Sequence, residues 1–143
     1  MFRKLIATAP TWFTLPVRLA LGIIFIAHGA QKVFGMWGGP GLKAITAMPP
    51  PLGLHPSWVW MGAAAFSELI GGALVLLGLL TRLGALFISF VMIVAIVGVH
   101  WGLFFAPNGM EYPLALLSMT LALLIAGGGQ ASLDMGLMKS RRR

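Results

Sequence analysis

Arg18-Leu-Ala-Leu-Gly-Ile-Ile-Phe-Ile-Ala-His28-Gly-Ala-Gln-Lys32-Val-Phe-Gly35 is apolar enough for a membrane helix, yet it carries a histidine and a lysine one turn apart. The i, i+4 spacing puts His28 and Lys32 on one helix face. Polar side chains inside a membrane helix are costly and usually point into a bundle or a cavity. Groups elsewhere in the chain should therefore answer them.

Composition supports a membrane setting. The chain has 143 residues, the size of one domain, and 59% of them are hydrophobic against 9% charged. Mean hydropathy is +0.94. Only Glu68, Glu111 and Asp134 are acidic, so the net charge is +7. A nucleic-acid binder would gather its basic residues into a surface patch. Here they sit in short segments flanking apolar runs, the positive-inside pattern of a membrane protein, and no nucleic-acid partner is expected. The chain has no cysteine, which excludes thiolate metal centres and disulfide exchange by this chain alone. Arg3 and Lys4 precede an apolar run, but the run continues through His28 and Lys32 without a cleavage-like site, so it reads as an uncleaved first span.

Four spans are expected, over about 16–34, 58–80, 83–105 and 112–126, within a single membrane domain 1–143. Gly35, Gly38, Gly39, Pro40 and Gly41 end the first, and Pro49-Pro-Pro51 and Pro56 punctuate the long outer connection 35–57. Lys43 to Met48 can form a short amphipathic helix within it. Thr81-Arg82 reads as a tight turn between the second and third spans. Pro107-Asn108-Gly109 reads as the next turn, and Gly127-Gly-Gly129 as the stop of the fourth span. Arg3, Lys4, Arg18, Arg82, Lys139 and Arg141 to Arg143 fall on one side, which predicts an all-α, antiparallel four-helix bundle with both termini inside, in a bacterial-type inner membrane. Arg18 and Arg82 are expected to anchor the chain by snorkelling to the inner surface. A faint internal repeat pairs Arg18-Leu, His28 and Glu68 with Arg82-Leu, His100 and Glu111.

The intramembrane polar groups share a depth. His28 and Lys32 lie in the outer half of the first span, and Glu68 lies about 15 Å into the second. His100 falls in the outer part of the third span, and Glu111 where the fourth begins. These five residues are the candidates for one outward-facing pocket, with Trp37 and Trp101 as a candidate roof. An ion pair that only ties helices together is the plainer reading of Glu68 with Lys32. His28 and His100 as axial haem ligands, or His28, Glu68 and His100 as a two-histidine-one-carboxylate metal site, are weaker alternatives, since neither has a local spacing signature. No resident metal is expected, and no catalytic residue is assigned.

The order of these motifs resembles the DoxX family of small four-helix membrane proteins. The resemblance is carried by Arg18-Leu, Gly22, Phe25, His28-Gly29 and Lys32-Val-Phe-Gly35, then by Gly38-Gly-Pro-Gly41-Leu. It continues through Glu68-Leu-Ile-Gly-Gly72, Gly78-Leu-Leu-Thr-Arg82, Glu111-Tyr-Pro-Leu114, Gly127-Gly-Gly129 and Ser132-Leu-Asp134, covering about residues 15–137. At Gly128 the family's end motif more often has proline. The resemblance implies shared polar positions at His28, Lys32, Glu68 and Glu111. It also implies a link to membrane oxidoreductases, since the name-giving members are similar to the membrane part of a thiosulfate:quinone oxidoreductase.

The expected function is therefore a quinone-interacting membrane subunit of an oxidoreductase complex. An amphipathic redox ring needs an apolar slot and polar groups for its oxygens. His28 or Lys32 can donate to one oxygen while Glu68 relays a proton. Electrons would come from a partner subunit, and a homo-oligomer is compatible. A membrane anchor or a small-solute transporter is the non-enzymatic alternative.

Overall fold

The computed structural model describes residues 5–102, 104 and 109–140. Among the described residues six α-helices follow in order: α1 Thr14–Phe34, α2 Gly41–Ala47, α3 Ser57–Leu77, α4 Thr81–Gly98, α5 Glu111–Ala126 and α6 Leu133–Ser140. There is no strand among the described residues. α1, α3 and α4 are each long and apolar enough to cross a membrane, whereas α5 is apolar but shorter, at 16 residues. α2 is the short helix expected within the connection 35–57.

Lipid tails are as apolar as leucine, so helices in a bilayer associate through close packing and polar contacts. The α1–α3 seam meets that demand with glycine. A Cβ on Gly29 would lie 2.5 Å from the backbone nitrogen of Leu69, and one on Gly72 would lie 2.8 Å from that of Ile26. Neither space admits a side chain, so the two backbones approach as closely as they can. Leu21, Phe25, Val75, Ile88, Met92, Leu116 and Leu123 fill the middle of the bundle. The hydroxyls of Ser89 on α4 and Thr120 on α5 bond across it at 2.7 Å.

The hairpin between α3 and α4 departs from the sequence expectation. The turn is Gly78-Leu-Leu80, and Thr81 already begins α4. Gly78 takes a left-handed conformation at φ 67°, which ends α3 with its N–H on the carbonyls of Leu74 and Val75. At the other end α4 stops at Gly98, short of the expected span to 105. Residues 103 and 105 lie outside the described residues, as do Pro107 and Asn108 of the expected turn and the basic residues Arg3, Lys4 and Arg141 to Arg143.

Arg18 overturns its reading as a snorkelling anchor. It is only 2% exposed. Its guanidinium donates to the carbonyls of Val75 (2.9 Å) and Leu76 (2.9 Å) at the end of α3, and to those of Gly128 (2.8 Å) and Ala131 (2.7 Å). Last-turn carbonyls lack the usual donor four residues on and carry the negative end of the helix dipole, so a buried fork of donors suits both. Arg82 does the same for α5, donating to the carbonyl of Ile125 at 2.8 Å and to that of Ala7 at 3.0 Å. The two arginines of the weak repeat thus play equivalent parts.

α6 is a helix that the sequence reading does not expect. Its Asp134 is buried and accepts from the N–H groups of Leu80 (2.8 Å) and Thr81 (2.9 Å) and from the Thr81 hydroxyl (2.7 Å). The carboxylate caps the N-terminus of α4 from a helix more than fifty residues away in sequence.

Candidate functional site

The α1 stripe that packs the core also builds the site. Leu21, Phe25, His28 and Lys32 recur at i, i+4, i+7 and i+11 and so share a face. Leu21 and Phe25 are buried in the core, while His28 and Lys32 continue upward as one wall of a cavity. The cavity measures about 590 Å³, within the range of small-molecule sites. Phe25, Met92 and Leu116 form its floor, at the point where core packing ends. Trp60, Ala64, Ser67 and Glu68 line it from α3, and Pro50, Pro51 and Leu54 from the long connection.

Glu68 and Lys32 meet there. Lys32 Nζ donates to Glu68 Oε1 at 2.5 Å, joining α1 to α3. The Glu68 side chain is 4% exposed and that of Lys32 30%, so the carboxylate is deep and the ammonium lies nearer the opening. Glu68 Oε2 is buried and has no hydrogen-bond partner among the described residues. Leaving a buried acceptor unmatched costs about 1–3 kcal/mol, and more for a charged group. A purely structural ion pair would be expected to satisfy both oxygens.

Of the five sequence candidates, His28, Lys32, Glu68 and His100 all line the cavity. His100 reaches it from just beyond the end of α4, not from within the third span as expected. Glu111 is the first residue of α5 and is not itself a lining residue, although the next two, Tyr112 and Pro113, are. The expected roof differs. Trp37 and Trp101 are 68% and 70% exposed and do not line the space, which the proline-rich connection covers instead. Trp60, at the start of α3 where a membrane-belt tryptophan would also fall, lines the cavity, with its indole N–H on the carbonyl of His55 at 3.3 Å. Belt and cavity positions of tryptophan look alike in sequence. Among the described residues no three His, Asp or Glu side chains are grouped as a metal site would need, so the two-histidine-one-carboxylate alternative gains no support.

An all-helical chain with three bilayer-length apolar helices, built around a polar pair in a mostly apolar cavity, is a membrane protein with the makings of a small-molecule site. The chain belongs to the DoxX family, whose model matches residues 13–101. It is 34% identical over 129 residues to the Bacillus subtilis (strain 168) protein named "Putative oxidoreductase CatD", covering 90% of each chain. It is also 32% identical over 124 residues to an uncharacterized protein of Haemophilus influenzae, covering 84% of this chain and 80% of that one. No solved structure matches the chain.

Proposed function

We propose that this DoxX-family protein is a quinone-binding membrane subunit of an oxidoreductase complex. The observation that carries the reading is the Lys32–Glu68 pair in the apolar cavity, with one carboxylate oxygen left without a donor among the described residues. A quinone ring suits such a place. Its carbonyl accepts from the Lys32 ammonium, or from the His28 imidazole, and its flat apolar body fills the space between Phe25, Met92 and Leu116. Once reduced, the ring hydroxyl is a donor that the Glu68 carboxylate can accept. Glu68 can then relay the proton that ring reduction and oxidation require. In this reading electrons come from a partner subunit. The oxidoreductase name carried by the Bacillus relative supports the class of complex but not the ligand.

In the same reading the single domain crosses a bacterial inner membrane four times, with both termini inside. α5 supplies the fourth span, about 24 Å at 1.5 Å per residue, through local thinning of the bilayer. The cavity then lies in the outer half of the bundle, beneath the connection 35–56 that an electron-delivering partner would meet. A membrane anchor or a small-solute transporter is the competing reading, and neither needs an unmatched carboxylate beside a ring-sized apolar space.

The test is a titration of the purified protein with a short-chain benzoquinone, followed by quenching of Trp60 fluorescence and referenced to a Trp60→Phe control. Saturable quenching is expected, and Glu68→Gln should weaken it at least tenfold while helicity is retained. Quenching that ignores both substitutions would reject the ring site. A Soret band in the purified protein would instead favour the haem alternative.

A further inference from the structure

We infer that the cavity takes its ligand from the lipid phase, with the ligand's tail leaving sideways between α1 and α5. The ligand is then a quinone with an isoprenoid or alkyl tail, and not a water-soluble ring. This inference rests on the quinone reading above.

The helices do not close on one another equally. α1 lies along α3, α3 along α4 and α4 along α5, but α5 touches α1 only sparsely. That seam is sealed lower down, where Phe25 and Leu123 are buried. Higher up it loosens at the level of the cavity. His28 of α1 and Tyr112 of α5 both line the cavity and are both exposed, although Phe25, three residues before His28, is 2% exposed. An exposed imidazole facing hydrocarbon is costly, and it is better placed beside a polar head group that passes or rests there. Ile24 and Met119, four residues before His28 and seven after Tyr112, lie half-buried at the edge of the core and offer an apolar track below the opening.

The water-facing route is covered. Pro50, Pro51 and Leu54 roof the cavity, and Pro50 is buried. This strap is seated on α4 at Gly98, where a Cβ would lie 2.8 Å from that of Pro51. The cavity also reaches exposed Ala63 and Phe90 on the α3–α4 side. Those two helices are hairpin partners that pack extensively on one another, most closely below the cavity, where the Gly84 Cβ position is 2.9 Å from the Gly71 carbonyl oxygen. The α1–α5 seam, the more sparsely packed of the two, is the easier path.

Photolabelling of the wild-type protein in lipid nanodiscs tests this. The probe is a benzoquinone carrying one isoprenoid unit that ends in a diazirine, and mass spectrometry maps the adducts. Adducts should concentrate on α1 and α5 around Ile24 and Met119, and an excess of the same ring without a tail should reduce them at least fivefold. Adducts that the tailless ring competes away, but that map to residues 48–56 or to the surface around Ala63 and Phe90, would overturn the lateral path and leave the quinone site standing. Adducts that the tailless ring does not compete away would overturn the ring site, and the lateral path with it.

Discussion

Glu68 is the residue on which the site depends. A buried ion pair is weak evidence for stability, because desolvation of both charges offsets their attraction, yet removing one partner strands the other. Lys32→Met should therefore destabilise the protein by about 3 kcal/mol, whereas the Lys32→Met, Glu68→Met double variant should return to within about 1 kcal/mol of wild type. Thermal unfolding in detergent reads both, and equal losses in the two would show that the charges are not coupled. Arg18 makes the opposite case, since four carbonyls rely on one guanidinium. Lysine keeps the charge but not the planar fork, so Arg18→Lys should cost about 2 kcal/mol and Arg18→Met about 4 kcal/mol. Similar melting for all three proteins would return Arg18 to the anchoring role that its position suggested. That role was the natural reading of the sequence because nothing in it reports partners 57 to 113 positions away.

The elements divide by how locally they are determined. α1, α3 and α4 were legible because a long apolar run specifies a membrane helix without outside help. The turn before α4 was misplaced by three residues, because the cap on Thr81 comes from Asp134 and not from its neighbours. α6 was missed for the same reason. A helix of eight residues does not stand alone in water, and Asp134 fixes it to α4. Substitutions at two glycines should separate packing from propensity. Gly29→Leu drives a side chain into the Leu69 backbone and should cost about 3 kcal/mol or more, with loss of folded protein on size-exclusion chromatography. Gly136 in α6 has nothing near its Cβ position, so Gly136→Ala should gain about 0.5–1 kcal/mol from helix propensity. A destabilised Gly136→Ala would mean that α6 packs against something further.

At the scale of the molecule, the bundle carries its polar knots at opposite ends. Arg18, Asp134 and Thr81 tie one end through hydrogen bonds to backbone, while Lys32 and Glu68 line a cavity at the other. Depth in the sequence was enough to bring His28, Lys32, Glu68 and His100 to a common space. It could not reveal the unmatched oxygen or the proline roof, which depend on side-chain geometry and on how a loop folds back. The absence of cysteine makes the proposed topology simple to check. A membrane-impermeant maleimide added to intact cells should label a cysteine placed at Lys43 and spare one placed at Ser140, and the reverse pattern would invert the bundle. The most direct test of the site is extraction of quinone from protein purified in mild detergent, wild type beside Glu68→Gln. Bound quinone approaching one per protein in the wild type, and lost from the variant, is the result the cavity predicts. A wild type without quinone, or a variant that retains as much, would contradict it.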